Sequence, residues 1–146
     1  MEKSLDSYFS EIFGTDCNKP EEYSPLSLAY IGDSVFDLIV KTMLVEKNNM
    51  QSYKYHKEAI NIVNAGSQAE YMDVLIPQLT EKELEVYKRG RNTKTHSTAK
   101  NASVGCYRKA TGFEALIGYL YLNKEYDRLF SLIKICLDLK TEEPEQ

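Results

Sequence analysis

Glycine and proline are scarce in this 146-residue chain, at seven and four residues. No stretch sustains the apolar–polar alternation of a half-buried strand, so the chain reads as all-α. Long apolar runs are missing too: nothing approaches the roughly 18–20 residues that cross a bilayer, and no membrane partner is expected. The opening residues, Met1-Glu2-Lys3-Ser4-Leu5-Asp6, carry acids and lack the apolar core of an export signal. Cysteine is limited to Cys17, Cys106 and Cys136, with no pair at CxxC spacing. Three free thiols in a reducing cytoplasm are therefore expected. His56 and His96 are isolated, with no Ser, Cys or second His at a catalytic spacing, so nucleophilic catalysis has no support.

One absence is local. Between Lys88 and Lys109 there is no acid, while seven bases occur: Lys88, Arg89, Arg91, Lys94, Lys100, Arg108 and Lys109. Seven positive charges there and a net charge of −4 leave −11 for the rest of the chain. Screening confines each charge to about 10 Å at ordinary salt, so such a stripe can hold phosphate whatever the global sign. The plain alternative is a solvated loop.

The helical pattern is legible along most of the chain. Leu5, Tyr8, Phe9, Ile12 and Phe13 mark a short amphipathic helix. Ser24-Pro25 is a helix start, Ser as cap and Pro in the first turn. The helix that follows, about 25–46, is apolar on most of its circumference, as a core or interface helix is. Helical residues then run over about 51–76, with a break near Asn64–Gly66 and a stop at Pro77. Thr80-Glu81-Lys82-Glu83 forms a capping box for a short helix ending at Gly90. Residues 91–107 lack periodicity and read as a long polar loop, of the kind that is functional or mobile. Helices near 108–122 and 124–139 complete one domain, 1–146, whose motif-bearing core covers about 20–140.

Two acids stand where acids are costly. Asp33 interrupts Leu26-Ser27-Leu28-Ala29-Tyr30-Ile31-Gly32-Asp33-Ser34-Val35-Phe36, and Glu114 interrupts Gly112-Phe113-Glu114-Ala115-Leu116-Ile117-Gly118. A buried carboxylate must be paired, neutralised or bound to a metal. Either acid alone fits a buried salt bridge or a groove rim. Small residues beside each (Gly32 and Ser34, Ala115 and Gly118) would let a second helix or a ligand come close. Together, with a basic segment leading into the second, they suit a hard cation such as Mg²⁺, which favours carboxylate and water oxygens. Asp37, one turn beyond Asp33, reads as a solvated or interface-edge carboxylate.

Tyr30-Ile31-Gly32-Asp33-Ser34-Val35-Phe36 resembles the signature helix of the ribonuclease III catalytic domain, and Phe113-Glu114-Ala115-Leu116-Ile117-Gly118 resembles its second acidic helix. The resemblance extends through Lys88-Arg89-Gly90-Arg91-Asn92 and Tyr107-Arg108-Lys109-Ala110-Thr111, over about residues 20–125, and is nearest the Mini form, which consists of that domain alone. Longer enzymes of the family carry further acids at the places that hold Leu26, Ala29 and Thr111 here. With about 30 residues after Glu114, their separate RNA-binding domain is not expected here.

The resemblance implies an endoribonuclease acting on double-stranded RNA. It would leave 5′-phosphate and 3′-hydroxyl ends and serve maturation of large-subunit ribosomal RNA. Asp33 and Glu114 would be the catalytic and metal-binding residues, with one Mg²⁺ per site, Mn²⁺ able to substitute, and no organic cofactor. Arg89, Arg91, Asn92, Lys94, Lys100, Arg108 and Lys109 would hold RNA, with Arg108 and Lys109 near enough to Glu114 to orient the scissile phosphate. Asn92 and His96 would carry any sequence preference. A homodimer packed through the signature helices is implied, with Phe36 expected at its interface. Duplex RNA is recognised by shape, phosphates and 2′-hydroxyls, so no base-reading motif is needed. The competing readings are an inactive module of the same fold that binds RNA or the ribosome, and a plain helical interaction domain.

Overall fold

Ser24 starts the helix that organises the molecule: its hydroxyl accepts the Ser27 N–H at 3.1 Å, and Pro25 has no N–H to leave unsatisfied. In the computed structural model, which describes residues 3–16, 19–47, 51–93 and 103–141, this helix is the second of seven. They are α1 (Leu5–Phe13), α2 (Pro25–Lys47), α3 (Ser52–Val63), α4 (Ala65–Leu75), α5 (Glu81–Asn92), α6 (Val104–Leu122) and α7 (Tyr126–Thr141). Single 3₁₀ turns occur at Pro20–Glu22 and Ile76–Gln78, the second at the proline stop. No strand occurs among the described residues, and none of their helices is long and apolar enough to cross a membrane.

The centre of the fold is α6, which packs against α2, α4, α5 and α7. Ten of its residues between Ala110 and Leu120 are buried, so its chain of apolar and small side chains meets protein on nearly every side. Phe113 meets Phe36 of α2 edge-on at 5.0 Å and Tyr71 of α4 at 5.8 Å, a geometry that aromatic quadrupoles favour. This corrects the expectation for Phe36: it is 1% exposed and belongs to the core, not to an outer interface. The apolar residues that α2 turns outward are Leu26, Tyr30, Leu38 and Val45.

Helix ends follow local chemistry. The break expected near Asn64 is a true boundary, because the Asn64 side chain accepts the Ser67 N–H at 2.9 Å and caps α4. The capping box of α5 is complete: Thr80 Oγ1 accepts the Glu83 N–H at 3.2 Å, and Glu83 accepts the Thr80 N–H at 2.9 Å. The polar segment is shorter than its lack of periodicity suggests. Helix α5 runs past Gly90 to Asn92, and α6 begins at Val104 behind a Ser103 cap. The exposed first turns of α6 carry no apolar stripe to betray them. Helix α1 forms as expected but buries none of its residues, and it ends at Gly14 in the left-handed region at φ 66°.

Cys136 is fully buried in α7, where burial pushes its thiol up to about 12 and keeps it an inert apolar filler. Cys106 is free and half-buried. Cys17 lies outside the described residues.

Candidate active site

The two acids meet because two glycines let α2 and α6 touch backbone to backbone. A methyl group added to Gly32 would fall 1.8 Å from the carbonyl oxygen of Glu114, and one added to Gly118 would fall 2.0 Å from that of Leu28. No side chain fits either place. Asp33 follows Gly32 directly, so the crossing that demands glycine also sets Asp33 beside Glu114.

The side chains differ in their surroundings. Asp33 is exposed, whereas Glu114 is half-buried. Burial is the main force pushing the Glu114 carboxyl up to about 8, reinforced by the negative charge of Asp33 and by a hydrogen bond between the two. Near neutral pH Glu114 is therefore held mainly in its protonated form. No Lys or Arg among the described residues forms an ion pair with either acid. Two carboxyl groups set side by side, open to water on one side, form a site short of positive charge.

That shortage fits a divalent cation. The donor set is spare: no group of three or more His, Cys, Asp or Glu suited to a metal occurs among the described residues. Leu26 and Ala29 offer no donor, and the Thr111 hydroxyl is committed to the Tyr107 carbonyl at 3.0 Å. Two carboxylates with the remaining positions left to water suit Mg²⁺, which gives up its hydration reluctantly. Asp37 stands apart, paired with Lys41 at 2.8 Å on the surface of α2.

Among the described residues, the basic side chains of this segment have separate partners. Arg89 donates from Nη1 to the Glu21 carbonyl at 3.2 Å, beside the start of α2. Arg91 donates from Nε to Asn92 Oδ1 at 3.2 Å, and its guanidinium lies 5.6 Å from the centre of the Tyr87 ring. Arg108 is exposed in the first turns of α6. Lys109 is tied to Asp73 of α4 at 3.1 Å, and that bond holds its ammonium above the usual lysine range. Five residues before Glu114, it lies about 140° around the helix. In this structure its ammonium is engaged with Asp73 of α4, and no ion pair joins it to the acid pair. Lys94, His96 and Lys100 lie outside the described residues. Asp73 and Tyr87 are the neighbours that the sequence did not single out. Asp73 is 36 positions from its partner, and no local pattern marks it.

Comparison with known proteins places these features in context. A family model for the ribonuclease III domain matches residues 26–125. The Mini-ribonuclease 3 of Clostridium tetani is 44% identical over 123 residues, covering 84% of this chain and 82% of that protein. That of Thermoanaerobacter sp. is 42% identical over 139 residues, covering 95% and 98%. A crystal structure of a protein from Fusobacterium nucleatum matches with a TM-score of 0.75 at 28% identity, covering 82% of this chain and 95% of that one.

Proposed function

The chain belongs to the ribonuclease III family, and we propose that it is a metal-dependent endoribonuclease that cuts double-stranded RNA at the Asp33–Glu114 pair. One observation carries this reading: a glycine-bound helix crossing holds two carboxyl groups together with no cationic partner among the described residues. A structural role for the pair gives no reason to bring two acids to one solvent-open point.

Asp33 and Glu114 would hold Mg²⁺, with Mn²⁺ as a substitute. A divalent cation bound there supplies Lewis acidity to a phosphodiester oxygen and makes water a competent nucleophile near neutral pH. Asp33, exposed, provides the first anchor. Glu114 would hold the cation in its charged form, which a nearby cation favours over the protonated one. Hydrolysis forms a bond from water oxygen to phosphorus and breaks the P–O3′ bond, leaving 5′-phosphate and 3′-hydroxyl ends. Arg89, Arg91, Asn92, Lys94, Lys100 and Arg108 would contact the RNA backbone, contacts that position a duplex without specifying sequence. The proposed natural substrate is a precursor of large-subunit ribosomal RNA.

The same reading includes a homodimer formed through α2. Its support is the outward row of Leu26, Tyr30 and Leu38, with Tyr30 81% exposed in the single chain. A Tyr30→Asp variant should sediment as a monomer at micromolar concentration while keeping its helical content. A wild-type protein that is monomeric and active would contradict the dimer.

The test of function is incubation with long duplex RNA and with a single strand of the same sequence, in Mg²⁺ and in EDTA. Cleavage of the duplex alone, in Mg²⁺ alone, with phosphate on the 5′ ends, is the expected outcome. An intact duplex would favour the inactive RNA-binding alternative.

A further inference from the structure

Two apolar features lie uncovered on one flank of α2. The first is α1: Leu5, Tyr8, Phe9, Ile12 and Phe13 recur at helical spacing, yet none is buried, and Ile12 and Phe13 are each 68% exposed. The second is a groove of about 960 Å³ between the C-terminal half of α2 and α7, lined by Leu38, Thr42, Met43, Phe130, Ile133 and Leu137. Phe130 stands in it with 54% of its surface exposed. Single exposed apolar residues are ordinary, but contiguous rows of this size mark a contact surface.

The chain's own α1 does not fill this groove. Lys124, between α6 and α7, holds Asp6 at 3.6 Å and Asp16 at 3.9 Å. Phe9 shares a cleft with Ile31, Tyr121 and Tyr126. Helix α1 therefore sits beside the N-terminal half of α2, whereas the groove runs along the C-terminal half. Both lie to the same side of the outward row, since Ile31 is about 100° and Leu38 about 80° around α2 from Tyr30 in one sense.

Area shows that the outward row alone falls short. Leu26, Tyr30, Leu38 and Val45 are 44–81% exposed. At no more than about 150–250 Å² for a side chain of aromatic size, they offer on the order of 400 Å². A stable interface takes about 800 Å² from each partner. The exposed stripe of α1 and Phe130 together can supply the remainder.

We infer that α1 of each chain docks in the α2–α7 groove of a second copy, across an antiparallel pairing of the two α2 helices. The inference deepens the proposed homodimer and rests on it. A two-fold axis set across α2 reverses the helix direction and keeps its flanks, so the N-terminal flank of one chain meets the C-terminal flank of its partner. The contact then forms twice, and each chain both gives a helix and receives one. A parallel pairing would bring each α1 to the opposite flank and leave stripe and groove open to water.

The test is sedimentation equilibrium of the full chain and its variants, with far-ultraviolet circular dichroism of each. Ile12→Asp and Phe130→Asp should each weaken dimerisation roughly ten- to hundred-fold, as the loss of an apolar anchor does. Both positions are exposed in the single chain, so helical content should stay that of wild type. The double variant should be little weaker than either single one, because both changes remove the same contact. Effects that simply multiply would put the two residues in separate contacts and overturn the docking. Lost helical content in Ile12→Asp would overturn it too, by showing that the stripe serves its own fold. Wild-type dimerisation by Ile12→Asp and Phe130→Asp, with Tyr30→Asp monomeric, overturns the docking and leaves the α2 dimer intact. A monomeric wild type overturns the dimer and this inference together.

Discussion

Glu83 and Glu114 are both acids drawn into the protein, and the protein treats them in opposite ways. Glu83 is 4% exposed and fully partnered. Arg128 donates to it from Nε at 2.9 Å and from Nη2 at 2.8 Å, the Thr80 N–H adds a third bond, and Nη2 also reaches the Gln78 carbonyl at 2.8 Å. Its carboxyl is accordingly held below the usual glutamate range, the hydrogen bond from Arg128 being the largest cause. Glu114 is less deeply buried, yet it faces another acid, and its carboxyl is pushed up to about 8. Where the fold needs an acid for structure it supplies the counter-charge, tying the start of α5 to α7. At the α2–α6 crossing no counter-charge pairs with the acids among the described residues. On the proposed reading, a carboxyl left in that condition is available to a cation from solution, in keeping with the clustering of perturbed groups at functional sites.

The comparison can be broken most decisively by activity. Asp33→Asn and Glu114→Gln keep the shape of the pair and remove its charge. Each should fold and lose duplex cleavage by on the order of a thousand-fold or more, a loss of about 4 kcal/mol in transition-state stabilisation. Glu83→Gln should cleave at a rate near that of wild type wherever it remains folded. Single-turnover rates on a duplex substrate, measured below the melting range of each variant, make the contrast.

Next comes the crossing itself. Gly32→Ala forces a methyl into the Glu114 carbonyl, so the helices must part. Overpacking of this kind costs about 1–3 kcal/mol or more, and the separation should also pull Asp33 away from Glu114. Urea unfolding together with cleavage at saturating Mg²⁺ checks both effects. A stable Gly32→Ala enzyme with full activity would show that close approach is not what assembles the pair.

A smaller effect is expected at Glu83. Replacing it by Gln leaves Arg128 without its counter-charge at a site one-third open on the arginine side. The expected cost is about 2 kcal/mol, less than for a fully enclosed pair. The pH dependences of the two glutamates have opposite sign. Glu83, with a lowered value in the fold, contributes stability that is present above pH 4.5 and lost as the pH falls through its folded value. Glu114, with a raised value, favours the fold most below pH 4.5, and that contribution drains away up to about pH 8. Melting of metal-free protein across that range should show the neutral-side decline in wild type and its absence in Glu114→Gln.

Much of this was readable from residues and spacing, and the limits have physical causes. Local signals survived: Ser24-Pro25, the Asn64 boundary and the Thr80–Glu83 box depend on neighbours within four positions. The pairing of Asp33 with Glu114 was legible because each sits in an apolar run beside small residues, and Gly32 and Gly118 are the contact points of the crossing. Long-range partners left no trace. Nothing near Glu83 announces Arg128, 45 positions away, and nothing near Lys109 announces Asp73. Phe36 was misplaced for a related reason. In a helix apolar on most sides, composition cannot separate the face that meets α6 from the face carrying Tyr30. The first turns of α6 were read as loop because an exposed helical turn needs no apolar periodicity.

The central claim is that Asp33 and Glu114 together hold the cation, and it is tested most directly by melting the protein across a Mg²⁺ titration at pH 7.5 without RNA. Wild type should gain stability as Mg²⁺ rises, by the logarithmic law for a ligand that binds only the folded state. Asp33→Asn and Glu114→Gln should not respond, and metal-free Glu114→Gln should melt above metal-free wild type because its buried acid is gone. An equal Mg²⁺ response in all three proteins would place the cation elsewhere and contradict the account.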